Sequence, residues 1–210
     1  MQIRYENSTD NVPVNKEILE AQWEHILYIL RSYVHKNEMS NRAVEINTAF
    51  PSIIHMHNVE YITTVLTWCK LFSDKKNHRT SIKYIFDYQN EKEKIRVKRM
   101  NERFSELKQM ILDRSEITSD EYNNAANSMI TTRDKFIAHC DIGNYPKMPY
   151  LEVPIKILTS YHSILRSSSF RVLETEDWYP ATDIFPDHDL IAKFTAEAQT
   201  VFEQIQVWRA

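Results

Sequence analysis

The chain has 210 residues, 42% of them hydrophobic, and a net charge of −3, which together fit one globular domain better than two. It holds a single glycine, Gly143, where average usage predicts about fifteen. Loops that cradle phosphates need glycines, so the composition excludes the P-loop and the G-x-G-x-x-G dinucleotide site. Because tight hairpins also draw on glycine, we expect an all-α fold with no sheet of three or more strands.

Other features of the whole chain predict a cytoplasmic protein. Its net charge of −3 argues against a protein that coats DNA nonspecifically. The two cysteines, Cys69 and Cys140, match no metal-ligand spacing and are expected as free thiols. The first residues form no apolar signal segment, and no apolar run is long enough to span a membrane. We therefore predict no membrane contact, no metal and no cofactor.

The first half of the chain shows apolar residues at helical spacing. One amphipathic helix begins near Leu19, and a second follows Pro51, a residue suited to the first turn of a helix. A short helix is expected at residues 81–88. A long helix with a highly charged exposed face is expected at residues 91–113.

The second half continues the helical pattern. Capping residues place the start of the next helix at Ser119, and this helix is expected to run to about residue 141 and to stop at Gly143. The remaining elements are a loop at 144–154, a helix at 155–173, a connection at 174–186 and a final helix at 187–209. We predict one domain over residues 1–210, an antiparallel helical bundle with its core at about 14–171 and additional C-terminal helices.

Charge is unevenly distributed along the chain. Residues 91–108 contain seven basic and four acidic side chains, whereas residues 172–210 contain two basic and eight acidic ones. This pattern has two interpretations. Either it is a solvated helix face with an acidic tail, or the basic helix flanks a site for a polyanion while the acidic segment packs elsewhere.

The segment from Thr131 to Asp141 contains the residues best suited to catalysis or ligand binding. Projected at 100° per residue, Arg133 falls in the middle of an apolar stripe, where a guanidinium needs a partner or a polar cleft. His139 falls on the flank of that stripe, one turn before the expected helix end. The alternative interpretation is an Arg133 that extends to the edge of the stripe or pairs with a structural carboxylate, and a His139 that faces solvent or stabilises the helix C-terminus.

This segment resembles a known family. Arg133 and His139 form an Arg-x5-His pattern, with Asp134, Lys135 and Asp141 around it, and the pattern resembles the signature of HEPN domains of the abortive-infection type. The resemblance implies an HEPN-like bundle over about residues 19–164 in which two motifs meet at a dimer cleft. It also implies a metal-independent endoribonuclease, often the toxin of a toxin-antitoxin or phage-defence pair.

The resemblance gives each residue of the motif a role. His139 is expected as general acid or base, and Arg133 as the ligand of the phosphate and the transition state. Asp134 is expected to orient one of these catalytic residues, while Lys135 and Asp141 are candidate substrate-binding residues.

The expected partners are RNA, a second copy of the chain in a homodimer, and a cognate antitoxin protein. Two alternatives remain open at this point. One is a catalytically inactive helical module that binds RNA, a nucleotide or a partner protein through the same cleft. The other is a structural interaction protein in which the motif is incidental.

Overall fold

A computed structural model describes residues 2–4, 12–13, 15–42, 51–72, 80–86, 92–137, 149–166, 171–173 and 187–207. Its α-helices are α1 (Lys16–Arg42), α2 (Pro51–Phe72), α3 (Glu93–Ser115), α4 (Ser119–Thr132), α5 (Glu152–Arg166) and α6 (Asp187–Val207). A short 3₁₀ turn spans Ile82–Ile85, and a π turn spans Arg133–Ile137 directly after α4. The all-α bundle predicted from composition and periodicity is confirmed.

Several predicted helix boundaries agree with the structure. Helix α2 begins at Pro51 and α4 at Ser119, both as predicted. Helix α6 begins at Asp187, the residue at which the final helix is expected. The expected short helix at 81–88 is a single 3₁₀ turn, Ile82–Ile85. These agreements arise because a proline in the first turn and a capping box are local signals, set by residues adjacent in sequence.

Two helices end earlier than predicted. Helix α4 gives way to the π turn after Thr132, and the structure does not describe residues 138–148, so the expected terminator Gly143 lies outside the described residues. Helix α5 begins at Glu152, with Pro154 in its first turn, and ends at Arg166. The prediction that this helix continues to residue 173 is wrong, because Arg171–Leu173 forms a strand.

A small antiparallel sheet contradicts the expectation that no sheet of three strands exists. Its strands are β1 (Gln2–Arg4), β2 (Val12–Pro13) and β3 (Arg171–Leu173), in the order β2-β1-β3. Gln2 lies opposite Pro13 on one side and Leu173 on the other. Strands of two or three residues are too short to show the alternating pattern by which a strand is recognised in a sequence.

The core is formed by side chains from all six helices and the 3₁₀ turn. Helices α1 and α2 pack as an antiparallel pair, with Ser40 of α1 beside His57 of α2 and His35 beside Glu60. Helix α5 contacts α1, α3 and α4. The indole nitrogen of Trp68 on α2 donates to the Pro154 carbonyl of α5 at 3.0 Å, so a buried hydrogen bond also connects these two helices.

Two consecutive buried hydrogen bonds join three segments that are distant in sequence. The Tyr161 hydroxyl of α5 donates to Oε1 of Gln22 on α1 at 2.5 Å, and Nε2 of Gln22 donates to the Ser81 carbonyl at 2.9 Å. Tyr161 and Gln22 are fully buried. Ser81 precedes the 3₁₀ turn, which packs against α3. These two hydrogen bonds therefore hold in place the 3₁₀ turn against which α3 packs.

Candidate nucleic-acid interface

The predicted motif lies where α4 ends. Arg133 is the first residue of the π turn, and its side chain is only 13% exposed. Its Nε donates to Oδ1 of Asp134 at 2.8 Å, and one terminal nitrogen lies 2.7 Å from the same oxygen. The other terminal nitrogen is buried and has no hydrogen-bond partner among the described residues. The guanidinium is thus bound by its neighbour and turned away from solvent.

Beyond Arg133 and Asp134, Lys135 is the one motif residue that the structure describes. Lys135 is exposed to solvent. His139 and Asp141 lie outside the described residues. A π turn is wider than an α-helical turn, so positions projected at 100° per residue do not apply after Thr132. The structure consequently supplies no geometry for an active site built on Arg133 and His139.

A more extensive set of charged side chains lies on the first half of α3. We call residues 92–103 the basic segment; it contains six basic and two acidic side chains, in a chain whose net charge is −3. Lys92, Lys94 and Lys98 are exposed, as is Arg99, while Arg96 and Arg103 are half-buried. All fully buried side chains of α3 occur at or after Leu107. The basic segment is therefore the solvent-facing end of this helix.

The spacing of these residues places most of the positive charge on one side of the helix. Four basic residues at i, i+4, i+7 and i+11, which we call the basic row, fall within about 60° of one another at 100° per residue. They are Lys92, Arg96, Arg99 and Arg103. Lys94 and Lys98 form a second pair at i,i+4, which falls on the opposite side of the helix, about 150° from the centre of the row. A linear array of this kind matches the linear array of phosphates on a nucleic acid backbone.

Two of the basic residues have acidic neighbours on the same helix. Lys98 lies 3.8 Å from Glu102, and Arg103 lies 2.8 Å from Glu106. The Lys98 pair is well exposed, and exposed pairs of this kind contribute at most about 1 kcal/mol. The Lys98 pair is therefore weak enough to be exchanged for a phosphate contact at little cost.

Two apolar side chains are exposed within the basic segment. Ile95 is 48% exposed and Val97 is 46% exposed, although both lie among lysines and arginines. Single exposed aliphatic side chains are common on protein surfaces and do not by themselves indicate a partner. Apolar side chains can contact the methyl group of thymine in the DNA major groove, so they are compatible with a helix that contacts bases.

A short and well-defined connection joins α3 to α4. Glu116, at the C-cap of α3, has a positive φ of 54°, and its N–H donates to the Leu112 carbonyl. Thr118 caps α4 by accepting from the Glu121 N–H at 3.2 Å, while the Glu121 carboxylate accepts from the Thr118 N–H at 2.7 Å. This capping box lowers the pKa of Glu121, chiefly through the backbone hydrogen bond from Thr118. The capping residue Thr118 is one position earlier than Ser119, the first of the predicted capping residues.

Neither a metal centre nor a spanning helix is found in the described part of the chain. No group of three or more histidine, cysteine, aspartate or glutamate side chains there could hold a metal ion. No described helix has the length and apolar character needed to cross a membrane.

Residues 87–128 match the model of the helix-loop-helix DNA-binding domain. The match covers about a fifth of the chain and contains the basic segment, the connection and most of α4. Over this segment the chain is similar to that family, and the arrangement of two helices joined by residues 116–118 agrees with its description. No curated protein and no solved structure matches the chain.

This match overturns the HEPN interpretation. The matched family is a DNA-binding one, so the predictions of an HEPN domain and of an endoribonuclease in phage defence or a toxin-antitoxin pair are wrong. Nothing supports the expected RNA or antitoxin partners or the inactive HEPN-like module. The error arose because an Arg-x5-His pattern depends on only two residues. One of them, Arg133, lies beyond the matched segment and is paired with Asp134.

The charge of α3 is visible in the sequence itself. The excess of basic residues at 91–108 left two interpretations open, a solvated helix face or the flank of a site for a polyanion. What the sequence could not supply was the exposure of these residues. A charged helix can also rest its charged side chains on neighbouring elements, and only the packed structure distinguishes the two cases.

Proposed function

We propose that this protein binds double-stranded DNA through the basic segment of α3. The observation that carries the proposal is the solvent-facing end of α3, with six basic side chains, inside the segment that is similar to helix-loop-helix DNA-binding domains. In basic helix-loop-helix proteins the basic region is a continuous helix that lies in the major groove. Helix α3 has the same continuity, running without interruption from Glu93 to Ser115.

The chemistry of the basic row suits phosphate contacts. Arginine remains charged at all working pH values, and its planar fork can bind two phosphate oxygens at once. If all six basic side chains of residues 92–103 contact phosphates, log K falls with log salt with a slope of about −5. A slope of that size corresponds to roughly a thousandfold weaker binding between about 50 and 200 mM salt. Most of the affinity is then electrostatic.

Homodimerisation remains a prediction. Basic helix-loop-helix proteins bind DNA as dimers built on a parallel four-helix bundle. In the present chain the apolar sides of α3 and α4 pack within the same chain, against α5 and, for α4, also against α2. A homodimer of this protein must therefore use other surfaces than those apolar sides.

The proposal is tested by fluorescence anisotropy of a labelled duplex titrated with the protein over a range of salt concentrations. The test variant carries Lys94→Gln and Arg99→Gln, two exposed positions whose substitution leaves the core intact. Loss of two phosphate contacts should weaken binding at low salt and make the slope less negative by about 1.8. Circular dichroism checks that the helix content is unchanged.

A matched control is available on another helix. Lys156 on α5 is exposed and lies close enough to Glu121 to lower the pKa of that carboxyl, which places it near the α3–α4 connection. Arg99 is about 24 Å along α3 from that connection at 1.5 Å per residue. Lys156→Gln should therefore leave both the affinity and the slope unchanged. An equal effect of Lys156→Gln, or equally tight binding of an RNA of the same charge, would contradict the assignment.

A further inference from the structure

The apolar sides of α3 and α4 are already occupied within one chain. Leu107 and Ile111 of α3 and Met129 of α4 are fully buried in the same cluster as Leu158 and Tyr161 of α5. Helix α5 contacts both α3 and α4. The pair of helices therefore has an apolar partner without a second subunit.

Beyond the basic segment, the outward sides of the same two helices carry no apolar surface for a further partner. Every exposed side chain from residue 105 to residue 132, a stretch that is described throughout, is polar or charged. On α4 these residues include a row of amides and carboxylates, namely Asp120, Glu121, Asn123, Asn124 and Asn127. A helix bundle between two such pairs would bury these polar groups without apolar contacts in return, which is unfavourable.

We infer that a single chain is sufficient to bind one DNA segment, with α5 in the position that the helices of a second subunit hold in a helix-loop-helix dimer. The inference rests on the proposed function, because it concerns how the basic segment is presented to DNA. Each chain then offers one basic helix, and the protein recognises one short segment of duplex instead of two symmetric half-sites.

The length of the basic segment sets the size of the DNA contact. Residues 92–103 span about 18 Å at 1.5 Å per residue, which corresponds to about five base pairs at ~3.4 Å per pair. A duplex of about 12 base pairs therefore offers a complete site for one chain and needs no palindrome. Two basic helices arranged as in a dimer require half-sites on both sides of a symmetry axis.

The first experiment measures the stoichiometry on such a duplex. The full chain is titrated into the labelled duplex at concentrations well above the dissociation constant, and sedimentation velocity gives the mass of the complex. One chain per duplex, without cooperativity, is expected. A complex that requires two chains per duplex overturns the inference while leaving DNA binding itself established. Absence of binding to the duplex at low salt overturns the proposed function and this inference together.

The second experiment mixes wild-type chain with a Lys94→Glu, Arg99→Glu variant, at a salt concentration at which the variant alone does not bind the duplex. If one chain is sufficient, a large excess of this variant leaves the wild-type affinity unchanged, because no mixed complex is needed. If a second subunit supplied half of the site, DNA binding would decline as the fraction of variant rises. Such a decline would refute the inference, and sedimentation of the variant alone confirms that it is folded and has the same mass as the wild type.

Discussion

Removal of one buried hydroxyl should destabilise the fold measurably. In Tyr161→Phe the ring remains, but Oε1 of Gln22 loses the donor that lies 2.5 Å away. Both residues are fully buried, so no solvent can replace the lost hydrogen bond. Leaving a buried acceptor unsatisfied costs about 1–3 kcal/mol. We expect the free energy of unfolding to fall by about that amount.

The assay is unfolding in urea, monitored by circular dichroism. A lower midpoint with an unchanged slope of the unfolding free energy against urea concentration reports a change in stability alone. Tyr28→Phe is the control, because Tyr28 is 52% exposed and such surface changes usually alter stability by less than about 0.5 kcal/mol. Equal midpoints for Tyr161→Phe and Tyr28→Phe would refute the reasoning.

A double-mutant cycle isolates the interaction from other effects of each substitution. Gln22→Met removes the partner of Tyr161 and also leaves the Ser81 carbonyl without its donor at 2.9 Å. It should therefore cost more than Tyr161→Phe. The double variant should cost less than the sum of the two single variants, by about 0.5–3 kcal/mol, because Tyr161→Phe no longer breaks the hydrogen bond to Gln22 once Gln22 is absent. Strict additivity would show that the two side chains are not coupled.

Three further predictions concern the connection and the first helix. Glu116→Gly should raise the stability by up to about 1 kcal/mol in thermal unfolding, because glycine adopts the observed positive φ of 54° without strain, and Glu116→Ala should give no such gain. Thr118→Ala should lower the stability by about 1 kcal/mol in urea unfolding through loss of the cap on α4, whereas Thr118→Asn should retain most of it. Burial, followed by the positive charge of Lys70, lowers the pKa of His25 below its ordinary value of 6.5. The unfolded chain therefore binds this proton more readily, so stability should be full above pH 6.5 and decline as the pH falls below it, and urea midpoints of His25→Gln should decline less.

Local patterns along the chain were enough to predict the helical class and where several helices begin. The near absence of glycine and the 3.6-residue spacing of apolar residues predicted the all-α class, and Pro51 and the residues around Ser119 predicted where α2 and α4 begin. These signals succeed because helix formation and capping depend on residues within about four positions of each other. The charge excess at residues 91–108 is equally a property of the sequence alone.

Tertiary structure decided how those helices are used. Helix α5 covers the apolar sides of α3 and α4, residues 171–173 pair with residues 2–4, and Arg133 is paired in a π turn; none of these follows from local spacing. Each depends on contacts between segments far apart in the chain, or on the packing that selects a π turn over a continued helix. Exposure of the basic segment is likewise a result of packing, because its solvent-facing side is what the rest of the fold leaves uncovered. The sequence determined the charge of α3, and the fold determined that most of this charge faces solvent.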